Sequence, residues 1–180
     1  AIKGAQDIIA QRVSESSEYR QYIRRHVYFK ANIECKVTKE WKDKKSKFEM
    51  YYDFKENLDK AASHRILAIN RGTKEKVINW KLVVKNEDLI GYLESRIVKS
   101  KTFVFYQELK NAILDSYKRL IFPSIQTECF SKKCLLAETE SIDVFSTNLK
   151  NLLLASPVGQ KRIMGIDPGF RTGCKVAVID

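Results

Sequence analysis

Two groups of residues have types and spacing that chemistry could use. The first runs from Lys36 to Lys47, where six lysines meet two acids and Trp41 sits in the middle. Ammonium groups at this density neutralise phosphates, and an indole among them offers a face for a base. The competing reading is a solvated loop with Trp41 tucked onto the body of the protein. The second group is Asp167, which closes the apolar run 163–166 and precedes Pro168-Gly169. A lone carboxylate at the end of a buried strand points to chemistry or to a fixed hydrogen bond.

The remaining reactive side chains argue against an enzyme. Residues 1–162 supply no complete acid/base or nucleophile set, and the Walker loop, the dinucleotide Gly-rich turn, HExxH and Gly-x-Ser-x-Gly are all missing. His26 falls on an apolar helical stripe, as a half-buried histidine with a hydrogen-bond partner does. Cys129 and Cys134 are five residues apart, about 140° around a helix, so they do not share a face, and no histidine lies near them. Cys35, Cys129, Cys134 and Cys174 therefore read as free thiols of a reducing compartment, nucleus or cytoplasm. No metal or cofactor is expected.

The formal net charge is +11, and residues 1–122 carry 26 Lys and Arg against 16 Asp and Glu. Such a balance suits a polyanion, nucleic acid being the commonest, although ordinary surface lysine gives the same count. The candidate contacts are Arg24, Arg25, Trp41, Lys42, Lys44, Lys45 and Lys47. No run approaches the ~20 apolar residues of a membrane span, and no signal peptide opens the chain.

The elements that must position these residues are mostly helical. Residues 2–14 carry Ile2, Ala5, Ile9 and Val13 on one stripe. Ser17 is expected to cap a helix with Tyr19, Tyr22, Ile23, His26 and Val27 inward and Arg20, Arg24 and Arg25 outward. Ile33, Cys35 and Val37 alternate as a strand, and Val77–Val84 is its natural partner. Phe48, Tyr51, Tyr52 and Phe54 read as core. Ser63 and Asn86 are expected to cap helices, the first of which ends at Arg71-Gly72. A helix over 104–121 should stop at Pro123, and a long one should run from Ser124 to about Ala155. Pro157 and Gly159 mark a boundary at 156–162, beyond which 163–180 reads as a β-hairpin.

The string Gly165-Ile166-Asp167-Pro168-Gly169-Phe170-Arg171-Thr172-Gly173-Cys174-Lys175-Val176-Ala177-Val178 resembles the start of the YqgF-type, ribonuclease H-like domain of the Tex family. Blocks at 4–12, 47–54, 63–72 and 148–157 resemble the same family in the same order. The cysteines and the looser match at 86–135 point to its eukaryotic, S-one RNA-binding-domain-containing branch.

This resemblance implies a mainly α, Tex-like core domain with a helix-turn-helix-like part and a small β element over 1–157. The first strands of a truncated ribonuclease H-like α/β domain would follow over 158–180. The chain, which starts mid-helix and stops on a hairpin, then reads as a segment of a longer scaffold. Such a scaffold is similar in plan to the suppressor-of-Ty class of elongation factor and histone chaperone. It would bind RNA or single-stranded nucleic acid within transcription or ribonucleoprotein machinery, largely through modules beyond residue 180. In resolvases of this superfold the first-strand aspartate helps hold a catalytic metal. Here Asp167, with Asp180 as a weak second, reads as a vestige that locks the turn, and the alternative is a metal-dependent structure-specific nuclease.

Overall fold

The computed structural model describes residues 2–100, 102–157, 159–169 and 173–180. It is mainly helical, and it divides into two compact units, Ala1–Ile142 and Asp143–Asp180. The first unit opens with α1 (Ile2–Glu15) and α2 (Ser17–Lys30) and then forms β1 (Asn32–Val37), β2 (Asp53–Asn57), α3 (Ser63–Lys74) and β3 (Ile78–Val83). It continues through α4 (Asn86–Ile97) and α5 (Tyr106–Asp115) into α6 (Phe122–Leu153), whose last turns belong to the second unit. There, β4 (Ile163–Pro168) pairs with β5 (Cys174–Ile179).

β1 is the centre of a three-stranded antiparallel sheet of order β2-β1-β3. The expected pairing of 33–37 with 77–84 is present, with Cys35 opposite Trp80 and Ile33 opposite Leu82. Alternation sends Ile33, Cys35, Ile78 and Leu82 into the core, where all four are buried. The other face carries a charged ladder in which Glu34 accepts from Lys55 at 2.8 Å and Lys81 at 3.4 Å. Hydrogen bonding, first from Lys55, holds the Glu34 carboxyl below its usual range. α6 lies on the buried side, with Phe130 stacked on Trp80 at 4.0 Å. Gln126 accepts the Leu82 N–H at 2.9 Å and so satisfies a donor on the outer edge of β3.

Strand β2 departs from the expected pattern. Asp53, Lys55 and Asn57 are polar on one side, and Glu56 interrupts the other, so no alternation announces it. Phe54 packs against the core, and Glu56 survives on the inner side by pairing with Arg65 of α3 at 2.7 Å.

Three helix starts also differ. Ser16, not Ser17, caps α2 by accepting the Tyr19 N–H. The residues before α3 and α4 are Ala62 and Lys85, neither with a side-chain cap. Ser63 instead donates to Glu140, and Asn86 accepts from the buried Tyr117 hydroxyl at 2.7 Å. In both cases a distant partner outcompetes the local backbone.

Pro123 does not end a helix. Ser116–Ile121 form a π-helix, in which Phe122 N–H bonds to Tyr117 C=O, and α6 follows directly. The wider turn gives the proline ring room that an α-turn would deny it. Ser116, buried in this turn, donates to Ala10 C=O at 2.7 Å and ties it to α1.

The thiols at 35, 129 and 134 are buried, and Cys174 is exposed. Cys129 and Cys134 both face the core, because the buried stripe of α6 is broad enough to include Ile125, Cys129, Phe130, Cys134 and Ala137. Burial pushes the Cys35 thiol up to about 12 and those of Cys129 and Cys134 up to about 11.

In the hairpin, Asp167 lies opposite Lys175 and Gly169 N–H bonds to Gly173 C=O at 2.8 Å. Gly173 has φ +81°, a conformation that suits glycine. The turn lock expected of Asp167 would involve residues 170–172, which lie outside the described residues. Met164, Ile166, Val176, Val178 and Ile179 are exposed. Among the described residues no helix is long and apolar enough to cross a membrane.

Two predictions follow from the core. A Cβ added at Gly72 would meet Ile78 Cγ1 and Cδ1 at 3.0 Å and Phe48 Cδ1 at 3.2 Å, both side chains being buried. Overpacking of this kind costs about 1–3 kcal/mol, more than the ~1 kcal/mol that alanine gains in a helix. Thermal unfolding should show Gly72→Ala lowering Tm and Gly91→Ala, which meets nothing within 4 Å, raising it; equal shifts would refute the close contact. The raised thiols contribute stability that is whole below the unfolded thiol pKa of about 8.5. It is lost as pH rises through the folded values of about 11 to 12. The Tm of the native chain should therefore fall more steeply above pH 9 than that of a Cys129→Ala/Cys134→Ala variant, and parallel curves would exclude the thiols as the cause.

Candidate nucleic-acid interface

The lysine run is not a loose loop. After β1, the single turn Lys39–Trp41 folds back, and a second turn at Glu49–Tyr51 returns the chain to β2. Tyr52 Oη donates to Lys44 C=O at 2.8 Å, and Ser46 Oγ accepts the Phe48 N–H at 3.0 Å. Phe48 plugs into the core beside Gly72. Lys42, Lys44, Lys45 and Lys47 are exposed on this framework.

Trp41 is half-buried against the core, with Lys44 Nζ 5.8 Å from its ring centre. The tucked arrangement is the one present, and any base stacking there has only part of the indole to use. Lys47 pairs with Glu75 at 2.8 Å in an exposed bridge of the kind worth little. Among the described residues Lys42, Lys44 and Lys45 form no carboxylate pair.

The fold adds a cation that the linear pattern did not mark. α3 ends in a Schellman turn, with Lys76 N–H to Thr73 C=O at 3.0 Å and Val77 N–H to Gly72 C=O at 2.9 Å. The left-handed position of this motif, usually glycine, is Lys76, at φ 58°. The helix thus ends beyond the expected Arg71-Gly72. Thr38, which opens the lysine loop, donates its Oγ to Lys76 C=O at 3.0 Å and its N–H to Val77 C=O at 2.9 Å. Lys76 therefore joins the lysines of 42–47 on one surface.

The two arginines lie elsewhere. Arg24 makes two bonds to Glu128 of α6, at 2.5 and 3.2 Å, so its charge is already matched. Arg25 is exposed and shares with Arg24 a cleft between α2 and α6.

Asp167 has no second carboxylate nearby on its hairpin. Asp180 pairs with Arg162 at 3.3 Å at the opposite end of the ribbon, about five residues or ~17 Å away. These two cannot share a metal ion. Among the described residues no three His, Cys, Asp or Glu side chains cluster as metal ligands.

Lysine pays an energetic penalty of about 1 kcal/mol at a left-handed position, so Lys76→Gly separates charge from fold. Tm should hold or rise, while the slope of log K against log salt for a single-stranded oligonucleotide becomes shallower by about 0.7. A steady Tm with an unchanged slope would exclude Lys76 from the interface.

Residues 1–145 match a family model described as Tex central region-like. The chain is 39% identical to the protein YdcI of Bacillus subtilis (strain 168), covering 100% of this chain and 25% of that protein. It is 33% identical to protein tex of Bordetella pertussis, covering 100% of this chain and 24% of that protein. Identity is 35% to the human S1 RNA-binding domain-containing protein 1, covering 98% of this chain and 19% of that protein. The chain thus spans a quarter or less of the length of these relatives. The bacterial and human identities are too similar to single out a eukaryotic branch.

Proposed function

This chain belongs to the Tex family, through its central region, and from that premise we propose that it is a noncatalytic, nucleic-acid-binding scaffold segment. The observation that carries the reading is the lysine surface. Lys42, Lys44, Lys45 and Lys47 stand on one braced loop, and Lys76 is held beside them in a backbone conformation that lysine disfavours. Strain that persists at a surface cation fits a role for the charge rather than for the fold.

Such a surface grips phosphates and carries no base code, so binding is weak, salt-sensitive and indifferent to sequence. One relative is named for RNA binding and another, from Neisseria gonorrhoeae, as a transcriptional accessory protein. Both names favour RNA or single-stranded nucleic acid within transcription or ribonucleoprotein machinery, and with it a nuclear or cytoplasmic setting. On this reading the helical core, with its helix-turn-helix-like part, extends over 1–157. The stretch 158–180 supplies the first strands of a YqgF-type, ribonuclease H-like domain, in which Asp167 is a vestige and not a metal ligand.

The test is a titration of labelled single-stranded RNA at several salt concentrations. Contact with about four phosphates gives a slope of log K against log salt near −3. Replacing Lys42, Lys44, Lys45 and Lys47 together by alanine should flatten it. No binding at low salt, or a slope untouched by the four substitutions, sinks the proposal. Metal-dependent cutting of the strand, lost in Asp167→Asn, would overturn the noncatalytic reading.

A further inference from the structure

The cleft between α2 and α6 has features that the lysine surface lacks. Its volume is about 330 Å³, and its walls include Arg24, Arg25, Tyr28, Phe29, Glu128 and Lys132. That volume lies at the lower end of the range for small-molecule sites, about 300 Å³ and upward. Phe29 is 51% exposed although its ring is large and apolar. Tyr28 stands edge-on to it, with ring centres 5.2 Å apart and planes at 83°, so the two rings make an apolar corner. Lys132 Nζ lies 5.3 Å from the Tyr28 ring centre.

The charges of the cleft are sorted. Arg24 and Glu128 neutralise one another and form a fixed wall. Arg25 and Lys132 pair with no carboxylate among the described residues. The backbone of the corner is pinned as well, because Asn57 Nδ2 donates to Phe29 C=O at 3.1 Å. An uncovered aromatic face beside two unmatched cations, on a braced backbone, is what a nucleotide needs: a surface for its base and counter-charges for its phosphates. An acidic peptide would use the cations and leave the ring bare.

We propose that this cleft takes one unpaired nucleotide of a single-stranded nucleic acid. The base lies on Phe29 in the corner made with Tyr28, and the flanking phosphates meet Arg25 and Lys132. A duplex cannot enter in this way, because its bases are already stacked on one another. The inference rests on the nucleic-acid reading above and adds a base-dependent subsite to a surface that otherwise sees only phosphate.

The experiment uses the 180-residue chain, a dT12 strand and a twelve-residue abasic strand with the same phosphates. Phe29→Leu should weaken dT12 binding about tenfold with an unchanged salt slope, and should leave abasic binding unaltered. Arg25→Gln with Lys132→Gln should make the slope shallower by about 1.4 on dT12. Unfolding curves matching the wild type confirm that exposed positions alone have changed.

Four results would overturn the proposal. If Phe29→Leu leaves dT12 affinity intact while the four-lysine alanine variant loses it, the subsite falls and the lysine surface stands. If the loss is the same on both strands, the ring acts through structure and not through a base. If Phe29→Leu weakens an oligoglutamate peptide as much as dT12, the cleft serves acidic peptides. Failure of the wild type to bind either strand at low salt removes the subsite and the broader reading together.

Discussion

A single close contact governs how the first unit is put together. At Gly72 the last full turn of α3 comes so near Ile78 and Phe48 that only a hydrogen fits between them. Because the helix lies that low, the chain can turn at Lys76 and enter β3 within two residues. β3 then pairs with β1, and Thr38 at the far end of β1 meets the carbonyls of the turn just made. Phe48 wedges against the same spot from the other side and fixes the lysine loop at its second end. Helix, strand and loop thus share one point of contact, and the lysine surface inherits its rigidity from packing beneath it.

Electrostatics divides the many cations into two populations. Lys55 and Lys81 are committed to Glu34, Lys36 to Asp53, Arg65 to Glu56, Arg119 to Asp115 and Arg24 to Glu128. Most of these pairs hold strands or helices in register across the surface. Among the described residues the cations without such partners are spread along the chain, and they include Lys42, Lys44, Lys45 and Lys76 by the loop and Arg25 and Lys132 in the cleft. The net charge alone does not tell which of these cations are already matched by a carboxylate and which are left to meet a polyanion.

The periodic parts of the structure were legible in the sequence. The helices α2, α4 and α5, the β1–β3 pairing and the hairpin follow from apolar spacing, because burial repeats with the backbone, whereas of the stripe expected on α1 Ile9 and Val13 are covered and Ile2 and Ala5 are exposed. β2 was hidden by Glu56, an acid whose cost on an inner face is met only once Arg65 arrives from α3. The caps at Ser63 and Asn86 misled because their partners, Glu140 and Tyr117, lie 77 and 31 residues away. The lysine run could be read directly. Lys76 could not, since its neighbours are brought by a turn, and Phe29 could not, since one exposed aromatic on a helix carries no period. Side chains whose role depends on long-range neighbours leave no local trace.

The π turn at Ser116–Ile121 has a consequence for how this sequence tolerates change in length. A π turn holds one more residue than an α turn, and removing that residue would let the segment close into ordinary helix. Both turns complete one circuit, so the helix beyond would keep its facing, whereas deleting Ser124, which lies past the π turn in α6, would rotate everything after it by about 100°. In that second case Phe130 would swing off Trp80, Gln126 would leave the edge of β3, and Cys129 and Cys134 would change their exposure to water. A deletion at Ser124 would do more damage than most substitutions in the core, whereas one that closes the π turn, or one at the exposed Ser100, would cost less. The helical register, more than the identity of the residues in the turn, is what this segment must preserve through descent.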